Sequence, residues 1–173
     1  MDLKKKIRRI PEFKGVVFWD ITPLLQDPKA FKEAIDKLAE HYRGKGIDVI
    51  VSNEARGFTI GAPLAYSLGV GFVPIRKKGK LPSKTMQICY DKEYEKDVIE
   101  MHEDAINKGD KVLIIDDLLA TGGTAKANAE LIEKAGGKIV GLGFLIELEY
   151  LNGRKLLEKY ETFSLIKYAN TNA

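Results

Sequence analysis

Short apolar runs alternate with amphipathic segments along most of this chain. Runs rich in valine, isoleucine and leucine predict buried strands at residues 47–52, 71–75, 112–115, 138–148 and 162–167. Apolar residues at helical spacing predict helices that include residues 28–42, 63–68, 125–135 and 152–160. Because a strand, a helix and the next strand usually form a right-handed crossover, the pattern predicts an α/β fold with an open, mainly parallel sheet flanked by helices.

The best-defined helix is predicted to begin at Pro28. Asp27 stands at its capping position, and proline is favoured at the first helical position. At the N-terminus, Leu3, Ile7 and Ile10 also recur at helical spacing, which predicts a first helix with its lysines and arginines facing solvent.

Two stretches interrupt the regular alternation. Residues 11–25 are punctuated by proline and glycine and predict a loop with a short strand. Residues 76–97 are lysine-rich and polar, and they are long for a connection inside a compact domain. Because such long connections are often functional, we expect a mobile loop that acts as a lid.

Composition limits the class of protein. The 173 residues, 45% of them hydrophobic, predict one domain spanning 1–173. The net charge of +3 makes no general case for nucleic-acid binding, and no apolar run is long enough to enter a membrane. The basic N-terminus lacks the apolar core of a secretory signal, and a lone cysteine, Cys89, fits a reducing compartment. We therefore expect a cytoplasmic protein.

The chain's most distinctive chemistry follows the strand predicted at 112–115. Asp116 and Asp117 come directly after it, and a small-residue loop then leads into a helix. That loop consists of Ala120, Thr121, Gly122, Gly123 and Thr124. A helix N-terminus at the carboxyl end of a strand offers unpaired N–H groups to a phosphate. The carboxylates would repel a phosphate and need sugar hydroxyls or a magnesium ion, so the predicted ligand is a phosphorylated sugar.

A second strand end brings in a cation. Arg56 follows the strand predicted at 47–52, so it should reach the same edge of the sheet. A guanidinium matches phosphate oxygens in a bidentate manner. The competing interpretation is an ordinary surface ion pair between Arg56 and Glu54. Neither a P-loop nor a dinucleotide-binding fingerprint is present in the sequence.

Residues 112–124 resemble the signature of the type I phosphoribosyltransferases, which bind phosphoribosyl pyrophosphate (PRPP). Further motifs that resemble those of the adenine-specific members follow in the expected order, at residues 18, 20–25, 54–58, 76–82 and 93–94. The resemblance implies an open, mainly parallel sheet flanked by helices, a small N-terminal hood at about 1–26 and a long mobile loop at about 76–97. It also implies a homodimer that uses Mg²⁺ and converts adenine and PRPP to AMP and pyrophosphate.

The same resemblance assigns roles at the sugar and the reacting bond. Asp116 and Asp117 correspond to the residues that hold the ribose hydroxyls, and loop 120–124 corresponds to the one that holds the 5-phosphate. The resemblance also implies that Mg²⁺ is carried by PRPP and lies near Asp116 and Asp117 rather than being held by protein ligands alone. Glu93 corresponds to the catalytic glutamate of the mobile loop, and Tyr94 closes beside it. Taken alone, Glu93 would be one solvated charge in an acidic run.

Other roles concern the leaving group and the base. Arg56, Arg76 and Lys80 correspond to residues that bind pyrophosphate, with Arg76 donated across a dimer interface. Phe18 and Leu118 correspond to the pair that sandwiches the purine, and the backbone of Val17 to the group that reads the adenine edge. By residue type alone, core packing would be the favoured interpretation of Phe18 and Leu118.

The sequence departs from the family pattern at three places. Segment 12–15 is slightly shorter than usual, Trp19 replaces an arginine, and Glu95 replaces a glycine that follows the Glu-Tyr pair. The first two departures fall in the hood that reads the base. Hypoxanthine, guanine and xanthine therefore stay open as alternative bases, and a catalytically weak PRPP-sensing protein is the alternative outside the enzymes.

Overall fold

The computed structural model describes residues 1–91 and 96–172, and every helix and strand below lies within those ranges. The strands are β1 (Arg8–Phe13), β2 (Val16–Asp20), β3 (Val49–Asn53), β4 (Gly71–Lys77), β5 (Thr85–Asp91), β6 (Lys96–His102), β7 (Lys111–Leu119), β8 (Lys138–Leu148) and β9 (Thr162–Tyr168). The α-helices are α1 (Thr22–Gln26), α2 (Pro28–Tyr42), α3 (Arg56–Leu68) and α4 (Gly123–Lys134). Short 3₁₀ helices span Leu3–Lys6, Glu149–Leu151 and Gly153–Leu157.

One large sheet organises the described residues. Its strand order is β5-β6-β4-β3-β7-β8-β9, and the five strands from β4 to β9 in that order run parallel. The strands β5 and β6 pair antiparallel with each other, and β6 pairs antiparallel with β4. The predicted α/β fold with an open, mainly parallel sheet is therefore confirmed. Strands β1 and β2 form a separate antiparallel pair at the N-terminus.

Helices cover both faces of the sheet. Along β7, Leu113 and Ile115 pack into the cluster that contains α2 and α3, whereas Val112 and Ile114 pack into the cluster that contains α4. This alternation follows from the two-residue side-chain period of a strand. Burial on both faces explains why β7 is a continuous apolar run rather than an alternating one.

The N-terminal helix prediction is wrong beyond its first turn. Residues Leu3–Lys6 form a 3₁₀ helix, but β1 begins at Arg8, and Ile10 pairs with Phe18 of β2. Pro11 supplies the physical reason, because a proline disfavours helical backbone at the residue before it. Leu3 and Ile7 are nevertheless buried, so the apolar spacing identified core residues correctly.

The prediction of an irregular loop across 76–97 is wrong for part of that stretch. Strand β5 pairs along its whole length with β6, and Met86, Ile88 and Tyr90 pack against the α4 cluster. Their two-residue spacing is the signal that sequence analysis overlooked. Glu93, Tyr94 and Glu95 lie outside the described residues.

Several boundaries follow the predictions closely. Strand β8 spans the predicted residues 138–148, and the Asp27 side chain accepts N–H bonds from Lys29 (2.9 Å) and Ala30 (3.1 Å) at the start of α2. The predicted helix at 152–160 is wrong in type, since only a 3₁₀ helix forms there. None of the helices in the described ranges is long and apolar enough to cross a membrane.

Candidate active site

The acidic pair lies within β7, close to its carboxyl end. The Asp117 N–H donates to Asp116 Oδ1 at 2.9 Å, and the Asn53 amide at the end of β3 donates to Asp116 Oδ2 at 3.4 Å. Asp117 is only 6% exposed. Two adjacent carboxylates are thus fixed in place by neighbouring strands where a ligand of an open α/β sheet would bind.

In this fold the ionised forms of both carboxylates are unfavourable. Burial, reinforced by repulsion from Asp117, raises the pKa of Asp116 well above its ordinary value. Burial also raises the pKa of Asp117, although the Arg56 guanidinium opposes that change. Hydrogen-bond donors or a cation brought by a ligand would relieve this cost.

Arg56 connects the acidic pair to the N-terminal hairpin. Its Nε lies 2.9 Å from Asp117 Oδ2, and its guanidinium carbon lies 4.9 Å from the centroid of the Phe18 ring. Among the described residues, Asp117 Oδ2 is buried and makes no hydrogen bond beyond this ion pair, and Arg56 Nη1 is buried with no hydrogen-bond partner. Buried polar atoms are rarely left in this state, so both are candidates for ligand contacts.

The small-residue loop leads into α4 as predicted. Gly122 has φ 87°, a left-handed conformation that favours glycine, and no side chain caps the N-terminus of α4. No side-chain cap therefore competes with an anion for the first N–H groups of this 12-residue helix. The hydroxyls of Tyr90 and Thr124 lie 3.2 Å apart, which ties β5 to the start of α4.

Arg56, Arg76, the acidic pair and the loop surround a single cavity of about 300 Å³. The residues predicted from the sequence that line this cavity are Arg56, Arg76, Asp116, Asp117, Leu118, Ala120, Thr121, Gly122, Gly123 and Thr124. Asn53, Lys77, Tyr90 and Asp97 also line it, although the sequence pattern did not identify them as site residues. Of these four residues, Asn53 could have been predicted most easily, because it is the last residue of β3, the strand next to β7.

Arg76 is held in the cavity wall by an ion pair with Glu54. Glu54 also accepts the Lys77 N–H at 3.2 Å. Although burial opposes ionisation, the Arg76 guanidinium keeps the pKa of Glu54 below its ordinary value. The Arg56–Glu54 surface pair, the competing interpretation of the sequence, does not form; each residue has a different partner.

Of the predicted site residues that the structure describes, three do not line the cavity. Lys80 is exposed, and its backbone N–H donates to Glu100 Oε1 at 3.0 Å. Val17 and Phe18 are half-buried on β2, and Phe18 approaches the site only through its contact with Arg56. The structure thus brings the sugar and phosphate residues together more closely than the base residues.

Trp19 does not line the cavity. It is 3% exposed and stacks on Tyr168 with ring centroids 3.8 Å apart, while its indole N–H points to the Tyr150 hydroxyl at 3.4 Å. The departure at this position therefore changes the packing beneath the hairpin rather than the surface that faces Arg56.

The match to known proteins agrees with this geometry. A family model described as the phosphoribosyl transferase domain matches residues 21–172. The chain belongs to the phosphoribosyltransferase family. A curated phosphoribosyltransferase of Acetivibrio thermocellus, named adenine phosphoribosyltransferase, is 54% identical over 97% of this chain and all of its own length. A Thermotoga maritima protein of the same name is 56% identical over 97% of this chain and 98% of its own.

Solved phosphoribosyltransferase structures share the whole fold. The adenine phosphoribosyltransferase of Thermoanaerobacter pseudethanolicus has a TM-score of 0.94 at 52% identity, covering 96% of this chain and 98% of its own. That of Giardia lamblia, solved in complex with 9-deazaadenine, has a TM-score of 0.93 at 38% identity, covering 98% and 97%.

Proposed function

We propose that this phosphoribosyltransferase transfers the 5-phosphoribosyl group of PRPP to adenine and yields AMP and pyrophosphate, a purine-salvage reaction. The bacterial relatives from Acetivibrio, Thermotoga and Thermoanaerobacter all carry the name of that activity and match nearly the full chain. The observation that carries the proposal is the placement of the acidic pair, Arg56 and the N-terminus of α4 around one cavity. This arrangement suits a ligand with sugar hydroxyls and phosphates.

The ribose phosphate has a natural orientation in this cavity. The 5-phosphate would accept N–H groups from loop 120–124 and the start of α4, together with the Thr121 and Thr124 hydroxyls. The ribose hydroxyls would donate to Asp116 and Asp117. Such hydrogen bonds favour the charged carboxylates and so offset the burial that raises their pKa values.

Cationic side chains are available for the leaving group. Arg56 and Arg76 line the cavity, and we propose that both bind pyrophosphate, with Lys80 joining from the segment that follows β4. Guanidinium groups match the paired oxygens of a phosphate, and Glu54 keeps Arg76 oriented.

The donor set also fits a magnesium ion carried by PRPP. Mg²⁺ is commonly held by one or two carboxylates together with substrate phosphates and water, and Asp116 and Asp117 supply adjacent carboxylates that repel each other. In the described residues no cluster of three or more histidine, cysteine or acidic side chains could hold a metal alone. When bound, the ion would neutralise charge on the pyrophosphate.

We assign the base to the space between the hairpin and β7. Phe18 and Leu118 would sandwich adenine, and the backbone of Val17 would read its edge. The contact of Phe18 with Arg56 supports this assignment, since it places the aromatic ring beside a cavity residue. Leu118 lines the cavity itself.

The reaction places opposite charges on the two halves of PRPP. As the bond from ribose C1 to pyrophosphate breaks, positive charge develops on the sugar and negative charge on the leaving group, which Arg56, Arg76 and Lys80 stabilise. A ring nitrogen of adenine attacks C1, and Glu93 accepts the proton that this nitrogen loses. Tyr94 closes beside Glu93, and a closed lid keeps water from the sugar cation.

We further propose a cytoplasmic homodimer in which Arg76 is contributed across the interface. In the single chain, Arg76 lines its own cavity, so a mixing experiment separates the two arrangements. Arg76→Ala protein and Asp116→Asn/Asp117→Asn protein should each be nearly inactive. Recovery of activity after subunit exchange supports contribution across the interface, and no recovery in exchanged dimers contradicts it.

Base specificity is tested by a panel of purines. Adenine, hypoxanthine, guanine and xanthine are each incubated with PRPP and excess Mg²⁺, and pyrophosphate release is followed. We expect adenine to be the preferred substrate. Preference for another base would assign the protein to a different purine branch of the family, and absence of turnover with all four would leave a PRPP-binding role.

A further inference from the structure

The chain around Gly153, distant in sequence from loop 120–124, is in close contact with that loop. A side-chain carbon at Gly153 would overlap the Ala120 carbonyl oxygen and lie 2.8 Å from the Gly122 nitrogen. In the opposite direction, a side-chain carbon at Gly122 would overlap the Gly153 carbonyl oxygen. The two backbones therefore meet with no room for a side chain between them.

The close approach, rather than backbone conformation, requires glycine at position 153. Gly122 has a left-handed φ of +87°, whereas Gly153 does not have a left-handed φ. An alanine at 153 could adopt the same backbone conformation. Its methyl carbon, however, would lie more than half an ångström closer to the Gly122 nitrogen than 3.4 Å, the distance at which ordinary van der Waals contact begins. Since the atoms it meets belong to backbone, the loop itself would have to move.

Arg154 fixes this segment to the sheet. Its Nε donates to Glu147 Oε1 at 2.9 Å, and its Nη1 donates to the Thr162 carbonyl at 2.6 Å. The Glu147 side chain is only 5% exposed. The bidentate ion pair connects the residue after Gly153 to β8, and the bond to Thr162 connects it to β9. Together they give the contact with the loop a rigid support.

The rest of the segment packs against the C-terminal part of α4. Leu157 is fully buried in the same cluster as Leu131 of α4. Near the end of α4, Glu133 accepts bonds from Lys159 (3.1 Å) and Tyr160 (2.9 Å). Residues 153–160, which we call the buttress segment, therefore contact the loop before α4 and pack against the last turn of α4.

We propose that Gly153 and Arg154 are positioning residues for the 5-phosphate: the buttress segment fixes loop 120–124 from behind. This inference rests on the proposed function, because it takes that loop as the phosphate site. Neither residue lines the cavity, so each acts through the loop. A displacement approaching an ångström can cost up to about 100-fold in rate, so the loop's exact placement matters.

The test compares ligands that differ only in the phosphate. Calorimetry measures the affinities of AMP and adenosine for the wild type and for Gly153→Ala, well below the unfolding temperature. We expect Gly153→Ala to lower the affinity for AMP by about 10- to 100-fold, because the loop is displaced, and to leave the affinity for adenosine nearly unchanged. The KM for PRPP should rise accordingly, with a much smaller change in the KM for adenine.

A matched control is Gly71→Ala, since the nearest atom to its new methyl group lies 3.5 Å away in ordinary contact. Its ratio of AMP to adenosine affinity should equal the wild-type ratio. A purely structural effect of Gly153→Ala would lower both affinities equally by reducing the folded fraction, and that result overturns the inference. If the wild type itself does not prefer AMP to adenosine, the proposed phosphate site fails instead.

A second variant covers the case in which Gly153→Ala does not fold. Arg154→Gln removes the ion pair and leaves the buried Glu147 carboxylate uncompensated, whereas Arg154→Gln with Glu147→Gln removes both charges. The single variant should reduce the AMP preference, and the double variant should restore part of it. An unchanged AMP preference in a folded Arg154→Gln protein contradicts the proposal.

Discussion

Replacing Asp116 by asparagine should stabilise the ligand-free protein while weakening PRPP binding. Burial and repulsion from Asp117 raise the pKa of Asp116 well above 3.8, so its ionised form is unfavourable in the fold. Asparagine has the same shape as aspartate. Its side-chain oxygen can still accept the Asp117 N–H, which in the wild type lies 2.9 Å from Asp116 Oδ1. The Asn53 amide can rotate to present its oxygen to the new NH₂ group.

The magnitudes follow from the same contacts. Each unit by which the folded-state pKa exceeds the unfolded one costs about 1.4 kcal/mol at neutral pH, and asparagine removes that cost. For a chain of this size, 1 kcal/mol corresponds to roughly 2–4 °C in the unfolding temperature. A ribose hydroxyl bonded to a charged carboxylate contributes about 1.5–3 kcal/mol, so PRPP should bind about 10- to 150-fold more weakly.

The stabilising effect of Asp116→Asn should depend on pH. A raised folded-state pKa means that the protonated Asp116 favours folding below about pH 4, and this contribution is lost as the pH rises through the raised pKa. The advantage of Asp116→Asn in unfolding temperature should therefore be largest at neutral pH and vanish near pH 4.

Thermal unfolding and calorimetry with PRPP and Mg²⁺ measure both effects. Asp36→Asn serves as the control, because Asp36 is an exposed carboxylate on α2 that forms a surface ion pair with Lys32. It should change neither quantity appreciably. A lower unfolding temperature for Asp116→Asn at neutral pH, or PRPP affinity equal to that of the wild type, would refute the reasoning.

Other variants test other parts of the site. Glu93→Ala should lower turnover while sparing PRPP binding, and unchanged kcat would remove Glu93 from the mechanism. Arg56→Lys keeps the charge but loses the planar group beside Phe18 and Asp117, so kcat/KM should fall by about 10-fold or more, as for the loss of a charge-assisted bond. Trp19→Phe should lower the unfolding temperature without changing the preferred base; a changed preference in the purine panel would contradict the packing argument.

The centre of the site was predictable because its chemistry is local in sequence. A buried strand, an acidic pair and a glycine loop follow one another between residues 112 and 124, and the fold needs only to place that unit at a sheet edge. Arg56 was predictable for the same reason, since it follows a neighbouring strand. In these cases spacing along the chain determines position in space.

Contacts between distant segments were not predictable in this way. The approach of Gly153 to Gly122 and the pairing of Arg76 with Glu54 depend on how separate elements pack. Tyr90 lines the cavity because β5 folds against α4, a contact between separate elements that the local sequence does not determine. The burial of Trp19 likewise depends on Tyr168 at the far end of the chain.

The central claim is that this cavity joins adenine to the sugar of PRPP rather than simply hydrolysing PRPP. The most direct measurement incubates the protein with adenine, PRPP and Mg²⁺ and quantifies AMP and pyrophosphate in the same sample. We predict equal amounts of the two products, and loss of both in Asp116→Asn/Asp117→Asn protein. Pyrophosphate without AMP, or AMP formation that survives loss of both carboxylates, would contradict the account.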